Sequence, residues 1–188
     1  MPLILNGATS GSTTIQATDA TTQTITLPAN SGTVLTSLST QSQLPANIAG
    51  NGPAFSAYSN SNQSLTASAF NKILFQVSEF DTNSNFASSK FTPTVAGYYF
   101  ITARLAAGPF VGECVLTFYK NGSFYKYSQD IQIGSAGSNN FSLHGSALIY
   151  CNGSTDYIEI YVYPGSATTT ATTNSAYTWV QGYLARSA

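Results

Sequence analysis

The stretch FTPTVAGYYFITARL at residues 91–105 decides the fold, because its second half alternates with a period of two. The positions that share one face of such a strand are Tyr99, Ile101, Ala103 and Leu105. Thr102 and Arg104 fall on the opposite face. A two-residue period is typical of a half-buried strand in an antiparallel sheet, so we predict a strand whose apolar face is buried.

The same period recurs in Tyr157–Tyr163 and in other short runs from Phe55 onward, and no stripe with a helical period appears. In Tyr157–Tyr163 one face carries Ile158, Ile160 and Val162, and the other carries Tyr157, Glu159, Tyr161 and Tyr163. The clusters predicted as loops are Asp81–Asn85, Lys120–Ser123, Gly134–Asn140 and Pro164–Asn174. Asn121-Gly122 is the strongest hairpin signal, since both residues tolerate a positive φ. The pattern predicts an all-β sandwich.

Several motifs occur in an order that resembles C1q-like (TNF-like) jelly-roll domains, over residues 55–186. They are Phe55 after Pro53-Ala54, Phe75-Gln76-Val77, Phe91–Phe100, Lys120-Asn121-Gly122 and Gly182-Tyr183-Leu184. The resemblance implies a jelly-roll β-sandwich of two antiparallel sheets and a tight homotrimer. Its core motif positions are Phe75, Phe91, Gly97, Tyr99, Gly122 and Gly182. Unlike the animal members, the chain shows no collagen-like repeat before this region, so a complement-like role is not expected.

The N-terminal part differs in composition, because Asp19 is the only charged residue before Lys72. Thr13–Thr18 and Gln23–Leu27 have β propensity and predict a small hairpin. We therefore predict three regions: a short β-rich attachment segment at 1–36, a linker at 37–53 and a jelly-roll head at 54–188. The first region resembles the Thr-rich N-terminal segments of fibre and surface proteins of tailed bacteriophages. Its apolar residues, which we expect to make the attachment, are Ile15, Ile25, Leu27, Val34 and Leu35.

Charged residues make up 7% of the chain and the net charge is -1. Proteins that bind nucleic acid cluster Lys and Arg against phosphates, so this composition excludes nucleic acid as the main partner. Val95–Tyr119 is apolar enough to suggest a membrane span, but Arg104, Pro109 and Glu113 interrupt it. We predict two buried strands there and no membrane insertion. Met1–Ser10 has no basic residue, so we expect no secretory signal.

Residues that could carry chemistry are few. His144 is the only histidine, and no Gly-x-Ser-x-Gly motif accompanies it, so we expect a surface or interface position. The nearest carboxylate pairs, Glu79 with Asp81 and Asp156 with Glu159, are explained equally well as solvated strand ends. Asp81–Asn85 offers alternating oxygen donors that calcium accepts, but the same residues are typical of a turn. We predict no enzyme activity, no cofactor and no metal.

Cys114 and Cys151 share strand faces with apolar residues, which predicts two buried free thiols. Tyrosine is in excess, with 12 residues of which many fall in the second half. Tyrosine suits sugar stacking or subunit contacts, and the family resemblance favours subunit contacts. A carbohydrate role would then fall in the loops at Gly134–Asn140 and Pro164–Asn174.

Together these features predict a homotrimeric surface protein of a tailed phage particle, assembled in the bacterial cytoplasm. Its expected partners are its sister chains, other virion proteins of the capsid or tail, and host surface glycans. Two placements stay open, a tail fibre and a head fibre or capsid decoration protein. The alternative from another class is a free carbohydrate-binding or adhesin module.

Overall fold

The computed structural model describes residues 3–6, 12–15, 50–108, 111–134, 141–165, 169–171 and 174–188. The chain divides into two compact units, Met1–Leu38 and Ser39–Ala188. All regular elements in the described ranges are β-strands. The predicted boundaries at 36/37 and 53/54 stay predictions.

The first unit contains an antiparallel pair of strands, β1 (Leu3–Asn6) and β2 (Ser12–Ile15). The sequence predicted that residues 13–18 would pair with Gln23–Leu27. The described partner of β2 is β1, and Gln23–Leu27 lies outside the described residues, so its pairing stays a prediction. The physical reason is the run Leu3-Ile4-Leu5, whose branched apolar side chains favour an extended strand.

The second unit is built from thirteen described strands, most of them short. They are β3 (Ala54–Tyr58), β4 (Gln63–Leu65), β5 (Asn71–Lys72), β6 (Val77–Asp81), β7 (Phe86–Ala87), β8 (Lys90–Phe91), β9 (Ala96–Gly108), β10 (Gly112–Lys120), β11 (Ser123–Ile133), β12 (Phe141–Asn152), β13 (Ile158–Pro164), β14 (Thr169–Ala171) and β15 (Trp179–Ser187).

These strands form two antiparallel sheets. The six-stranded sheet has the order β11-β10-β13-β8-β7, and β5 also pairs with β13. The seven-stranded sheet has the order β4-β14-β9-β15-β3-β6, and β12 also pairs with β9. The core takes side chains from both sheets, which makes the unit a sandwich. The predicted all-β jelly-roll sandwich is confirmed.

Strand β9 lies at the centre of the seven-stranded sheet. It pairs with β12 from Ala96 opposite Asn152 to Ala107 opposite Phe141, and with β15 on its other edge. Tyr99 and Ile101 are completely buried, as the alternation predicted. Val95–Tyr119 forms two strands, β9 and β10, as predicted, and no helix in the described ranges is long and apolar enough to span a membrane.

Aromatic rings fill the middle of the core. The ring of Phe55 stacks on Phe91 at 4.3 Å and on Phe86 at 4.9 Å, measured between centroids. Tyr99 meets Phe91 edge-on at 5.2 Å, and its hydroxyl donates a 2.7 Å hydrogen bond to the carbonyl oxygen of Val95. The ring of Tyr99 is therefore packed against the core, and its hydroxyl has the hydrogen-bond partner that a buried tyrosine needs.

The turn between β10 and β11 confirms the hairpin prediction. Asn121 and Gly122 have φ values of 55° and 75°, and the flanking residues Lys120 and Ser123 pair directly. Positive φ at both central positions defines the turn that matches the twist of two antiparallel strands. The Asp81–Asn85 turn is confirmed as well.

One predicted loop is partly wrong. Within Pro164–Asn174 the structure places a strand, β14, which pairs with β4 on one side and with the end of β9 on the other. Its Thr-Thr-Ala sequence is compatible with a strand, and the open edge at the end of β9 supplies the hydrogen-bonding partner. Of Gly134–Asn140, only Gly134 is described.

Replacing Tyr99 or Phe118 by Ala should lower the free energy of unfolding by about 3–5 kcal/mol, because each substitution leaves a cavity in the aromatic core. Denaturant unfolding followed by circular dichroism measures the loss. Tyr127, which is 63% exposed, is the control, and Tyr127→Ala should cost about 0.5 kcal/mol or less. Equal losses for Tyr99→Ala and Tyr127→Ala would contradict the strand phase of β9.

Candidate functional site

The single histidine lies on the surface of strand β12. His144 is exposed on β12, opposite Arg104 of β9, and its backbone N–H donates to the side-chain oxygen of Gln129 at 2.6 Å. Arg104 itself donates to the carbonyl oxygens of Ala176 and Tyr177. Within the described ranges, neither a carboxylate nor a serine hydroxyl hydrogen-bonds to the imidazole.

The first carboxylate pair has structural roles. Glu79 accepts a 2.6 Å hydrogen bond from the Ser56 hydroxyl across β3 and β6. Asp81 accepts the backbone N–H groups of Asn85 and Phe86, at 3.0 and 2.7 Å. These bonds close the turn, so the oxygens considered as calcium donors hold the backbone instead. No cluster of metal-ligating residues occurs in the described part of the chain.

The second carboxylate pair forms two ion pairs. Asp156 lies 2.9 Å from Lys120, and Glu159 lies 2.7 Å from Lys72. Hydrogen bonds from Asn121 and from Lys120 lower the pKa of Asp156. The carboxylate therefore stays ionised and ties the β10–β11 turn to the start of β13, which is a positioning role.

Both cysteines are completely buried and free. Burial is the largest cause that raises the pKa of Cys114 and of Cys151 to about 12. A buried thiol with a raised pKa forms little thiolate near neutral pH, which is the form that reacts.

The outward side of the seven-stranded sheet is the first candidate interaction surface. We call it the seven-stranded face, and it consists of Phe80, Tyr98, Phe100, Leu148, Tyr150 and Tyr183. Strand register sets Phe100 directly between Leu148 and Tyr183. Leu148 is 50% exposed and Tyr183 is 52% exposed.

Neighbouring aromatic rings extend this face, with Tyr98 and Tyr150 at a centroid distance of 5.5 Å. An open groove of about 550 Å³ lies beside Tyr98 and Leu148. A second groove of about 290 Å³ lies among Phe80, Phe100 and Tyr183. The face is therefore grooved rather than flat and mostly apolar, although Arg186 also lines the first groove.

A second surface lies on the other sheet. We call it the outer aromatic cluster, and it consists of Phe70, Tyr119, Phe124, Tyr127, Tyr161 and Tyr163. Phe70 precedes β5, and its ring lies 5.8 Å from Tyr119 and 5.3 Å from Tyr163. Tyr119 stacks on Tyr161 at 3.9 Å, and Phe124 meets Tyr127 at 4.7 Å. The rings cover Thr117, which is completely buried on the β10 strand beneath them.

Burial is the main cause that raises the pKa of Tyr119 and of Tyr161. Both phenols are therefore protonated at neutral pH and can donate as well as accept hydrogen bonds. The sequence indicated a tyrosine excess, but it did not identify this cluster. Phe70 and Phe124 join it only through the pairing of β5 with β13 and of β11 with β10.

The predicted core motif residues lie as follows. Phe75, Phe91, Gly97, Tyr99 and Gly182 are buried, and Gly122 is in the hairpin turn. Gly182 lies between Phe55 and Ile101 in the sheet, where an added Cβ would approach the Phe100 carbonyl oxygen to 2.9 Å. Of the predicted attachment residues, Ile15 ends β2 opposite Leu3, and Ile25, Leu27, Val34 and Leu35 lie outside the described residues.

No protein-family model and no curated protein matches the sequence. Solved structures do match. The chain is similar to the globular domain of zebrafish complement 1qA protein, with a TM-score of 0.51, 18% identity, and coverage of 72% of this chain and 98% of that one. Murine APRIL at pH 5.0 matches with a TM-score of 0.55, 8% identity, and coverage of 70% and 98%.

Eiger TNF from S. frugiperda matches with a TM-score of 0.53, 8% identity, and coverage of 72% of this chain and 93% of that one. The shared feature is the fold: the chain contains a C1q/TNF-like jelly-roll domain, as the sequence motifs indicated. At these identities the likeness extends to the fold alone.

The thiols provide a test of the core. In the native protein at pH 8, Cys114 and Cys151 should react with a thiol reagent on the order of a thousandfold more slowly than in urea, where their pKa returns to its ordinary value. Absorbance of the released chromophore measures the rate, and the unfolded chain should release two equivalents. Rapid labelling of the native chain would mean that the two strand faces are open to solvent.

Proposed function

We propose that the chain is a structural protein on the surface of a tailed bacteriophage particle, as a homotrimeric fibre or decoration protein. In this proposal residues 1–36 attach the protein to the virion. The jelly-roll head projects outward from the particle and binds host glycans. The observation that carries the proposal is the seven-stranded face, which a solitary head would leave in water.

The chemistry of that face supports association with sister chains. Leu148, Phe100 and Tyr183 lie side by side on three adjacent strands, and their apolar surface is continuous. Contiguous apolar surface on a soluble domain marks an interaction site, and burial stabilises it by about 25 cal/mol per Å². The sequence resemblance to C1q-like domains favours sister copies as the partner and three as their number.

Attachment through the first region is supported by its composition and by its strands. A hairpin as small as β1–β2 is marginal in water by itself, so it needs a partner surface. Residues 1–71 carry one charge, which leaves apolar and neutral polar groups to make that contact. Because this region resembles Thr-rich segments of phage surface proteins, we propose that the surface it contacts belongs to the phage particle.

A binding role without catalysis is consistent with the carboxylates described above. Glu79 accepts a hydrogen bond from Ser56, and Asp156 forms an ion pair with Lys120. Asp81 accepts backbone N–H groups, and Glu159 forms an ion pair with Lys72. Acids held in this way fix turns and strands.

The second candidate function is a free carbohydrate-binding or adhesin module, and the observation that favours it is the outer aromatic cluster. Imaging of intact particles with antibody-labelled protein separates the two functions. Label on heads or tails supports a virion protein and also distinguishes decoration from a tail fibre. Label absent from particles, with the protein free in solution, supports the module.

Light scattering of the full chain should give the mass of three chains. Leu148→Glu combined with Tyr183→Glu should shift the mass toward one chain, because two carboxylates would have to be buried in the interface. Tyr127→Glu is the matched control on the other sheet and should leave the trimer intact. A stable wild-type monomer at micromolar concentration would overturn the trimer.

Deletion of residues 1–36 should leave a folded trimeric head that no longer joins particles. Ile25→Asp in the full chain should reduce incorporation without changing the melting temperature of the head, since the substitution removes an apolar contact of the attachment segment only. Particle occupancy is measured by quantitative blotting of purified virions. Normal occupancy of the truncated head would show that attachment lies in the jelly roll.

A further inference from the structure

The outer aromatic cluster is built on the sheet that the proposed trimer leaves free. Phe124 lies opposite Tyr119, and both Tyr127 and Tyr161 lie opposite Thr117, one on each side of β10. Phe70, Phe124 and Tyr127 are 40%, 47% and 63% exposed. The cluster therefore exposes parts of its aromatic rings to solvent on a hydrogen-bonded sheet.

Four of the rings lie at short steps from one another. From Tyr127 to Phe124 the centroids lie 4.7 Å apart, from Phe124 to Phe70 they lie 6.5 Å apart, and from Phe70 to Tyr163 they lie 5.3 Å apart. These steps are comparable to the length of a pyranose ring. Because each ring is held by its neighbours, little side-chain freedom is lost when a ligand binds.

The cluster has no charged member, and the nearby exposed carboxylate is that of Asp130, which lies opposite Val115 as Tyr163 does on the other side. Lys72 and Glu159, which lie opposite Tyr161 and Tyr119, form an ion pair with each other at 2.7 Å. Lys120 and Lys126 lie against the ring of Tyr125, which is not a member of the cluster. Asp130 would repel a nucleic acid or another anionic polymer, and the rings themselves carry no charge, so a neutral ligand fits best.

Hydroxyl groups distinguish a sugar from an apolar protein partner. Tyr119, Tyr127, Tyr161 and Tyr163 place four phenol hydroxyls around the rings. None of them hydrogen-bonds to another residue within the part of the chain that the structure describes. A dry protein interface would leave such groups unsatisfied at a cost, whereas a sugar carries hydroxyls at its edge and C–H groups on its face. The C–H groups are attracted to the electron-rich face of an aromatic ring.

We infer that the outer aromatic cluster is a binding site for neutral oligosaccharide, with sugar rings stacked on Phe70, Phe124 and Tyr127 and the tyrosine hydroxyls bonded to their edges. This inference rests on the proposed function in one respect, that the trimer is formed through the seven-stranded face. It locates glycan recognition on a sheet rather than in the loops at Gly134–Asn140 and Pro164–Asn174.

The probe is a glycan array of neutral hexose oligosaccharides and acidic oligosaccharides, applied to the full-length protein. The neutral glycan with the strongest signal is then titrated by calorimetry. Phe124→Ala and Tyr127→Ala should each weaken binding at least about tenfold, and Tyr127→Phe should weaken it less because the stacking face remains. Tyr125→Ala is the matched control, since its ring contacts lysines, and it should bind like wild type.

Melting temperature and light scattering accompany each variant, so that a loss of binding is assigned only to folded protein. The inference is overturned if the wild type binds no neutral glycan, if it prefers acidic glycans, or if Phe124→Ala with Tyr127→Ala binds unchanged. A second outcome would indicate a protein partner instead. In it, the wild type binds cells whose surface glycans have been removed, and Phe124→Ala and Tyr127→Ala abolish that binding. A wild-type monomer that binds neutral glycan through these residues would overturn the trimer and support the site.

Discussion

The alternation of β9 is the constraint on which the rest of the structure depends. Its backbone pairs with β12 on one edge and β15 on the other, so the strand cannot shift without breaking both ladders. A slip of one residue would move Tyr99 to solvent and Tyr98 or Phe100 into the core. The register that buries Tyr99 therefore also fixes the outward position of Phe100, so the core and the seven-stranded face are two consequences of one strand.

Close packing around β9 depends on the absence of side chains at two places. Gly182 faces Phe55 and Ile101 from the middle of β15, and a Cβ there would come within 3.0 Å of the Phe55 ring. Gly97 lies against the end of β15, where the Ser187 Cα would be 3.1 Å from an added Cβ. Both glycines let large neighbours fill the volume, which explains why the family-like motifs combine glycine with aromatic residues.

Sequence reasoning found the features that depend on local pattern. The alternation of β9 and β13 and the Asn121-Gly122 turn were predictable because each is encoded within a few adjacent residues. Strand β14 was missed because a three-residue segment becomes a strand only when the edge of β9 is offered to it. The outer aromatic cluster was missed for a similar reason, since Phe70 reaches Tyr119 only after β5 has paired with β13. A feature that depends on pairing between strands far apart in the sequence leaves no periodic pattern in the local sequence.

The seven-stranded face and the outer aromatic cluster cannot both be covered by one sister chain in a single contact. In a sandwich the outward sides of the two sheets point away from each other, so a sister chain seated against Phe100 and Tyr183 leaves Phe124 and Tyr127 in water. On the six-stranded sheet, Lys72 and Lys120 form ion pairs with carboxylates of the same chain. Charged residues make up only 7% of the chain, so recognition at either surface depends mainly on shape, apolar area and hydroxyl groups. The apolar seven-stranded face suits a permanent contact between identical chains, and the hydroxyl-bordered rings of the other sheet suit a reversible contact with a hydrated ligand.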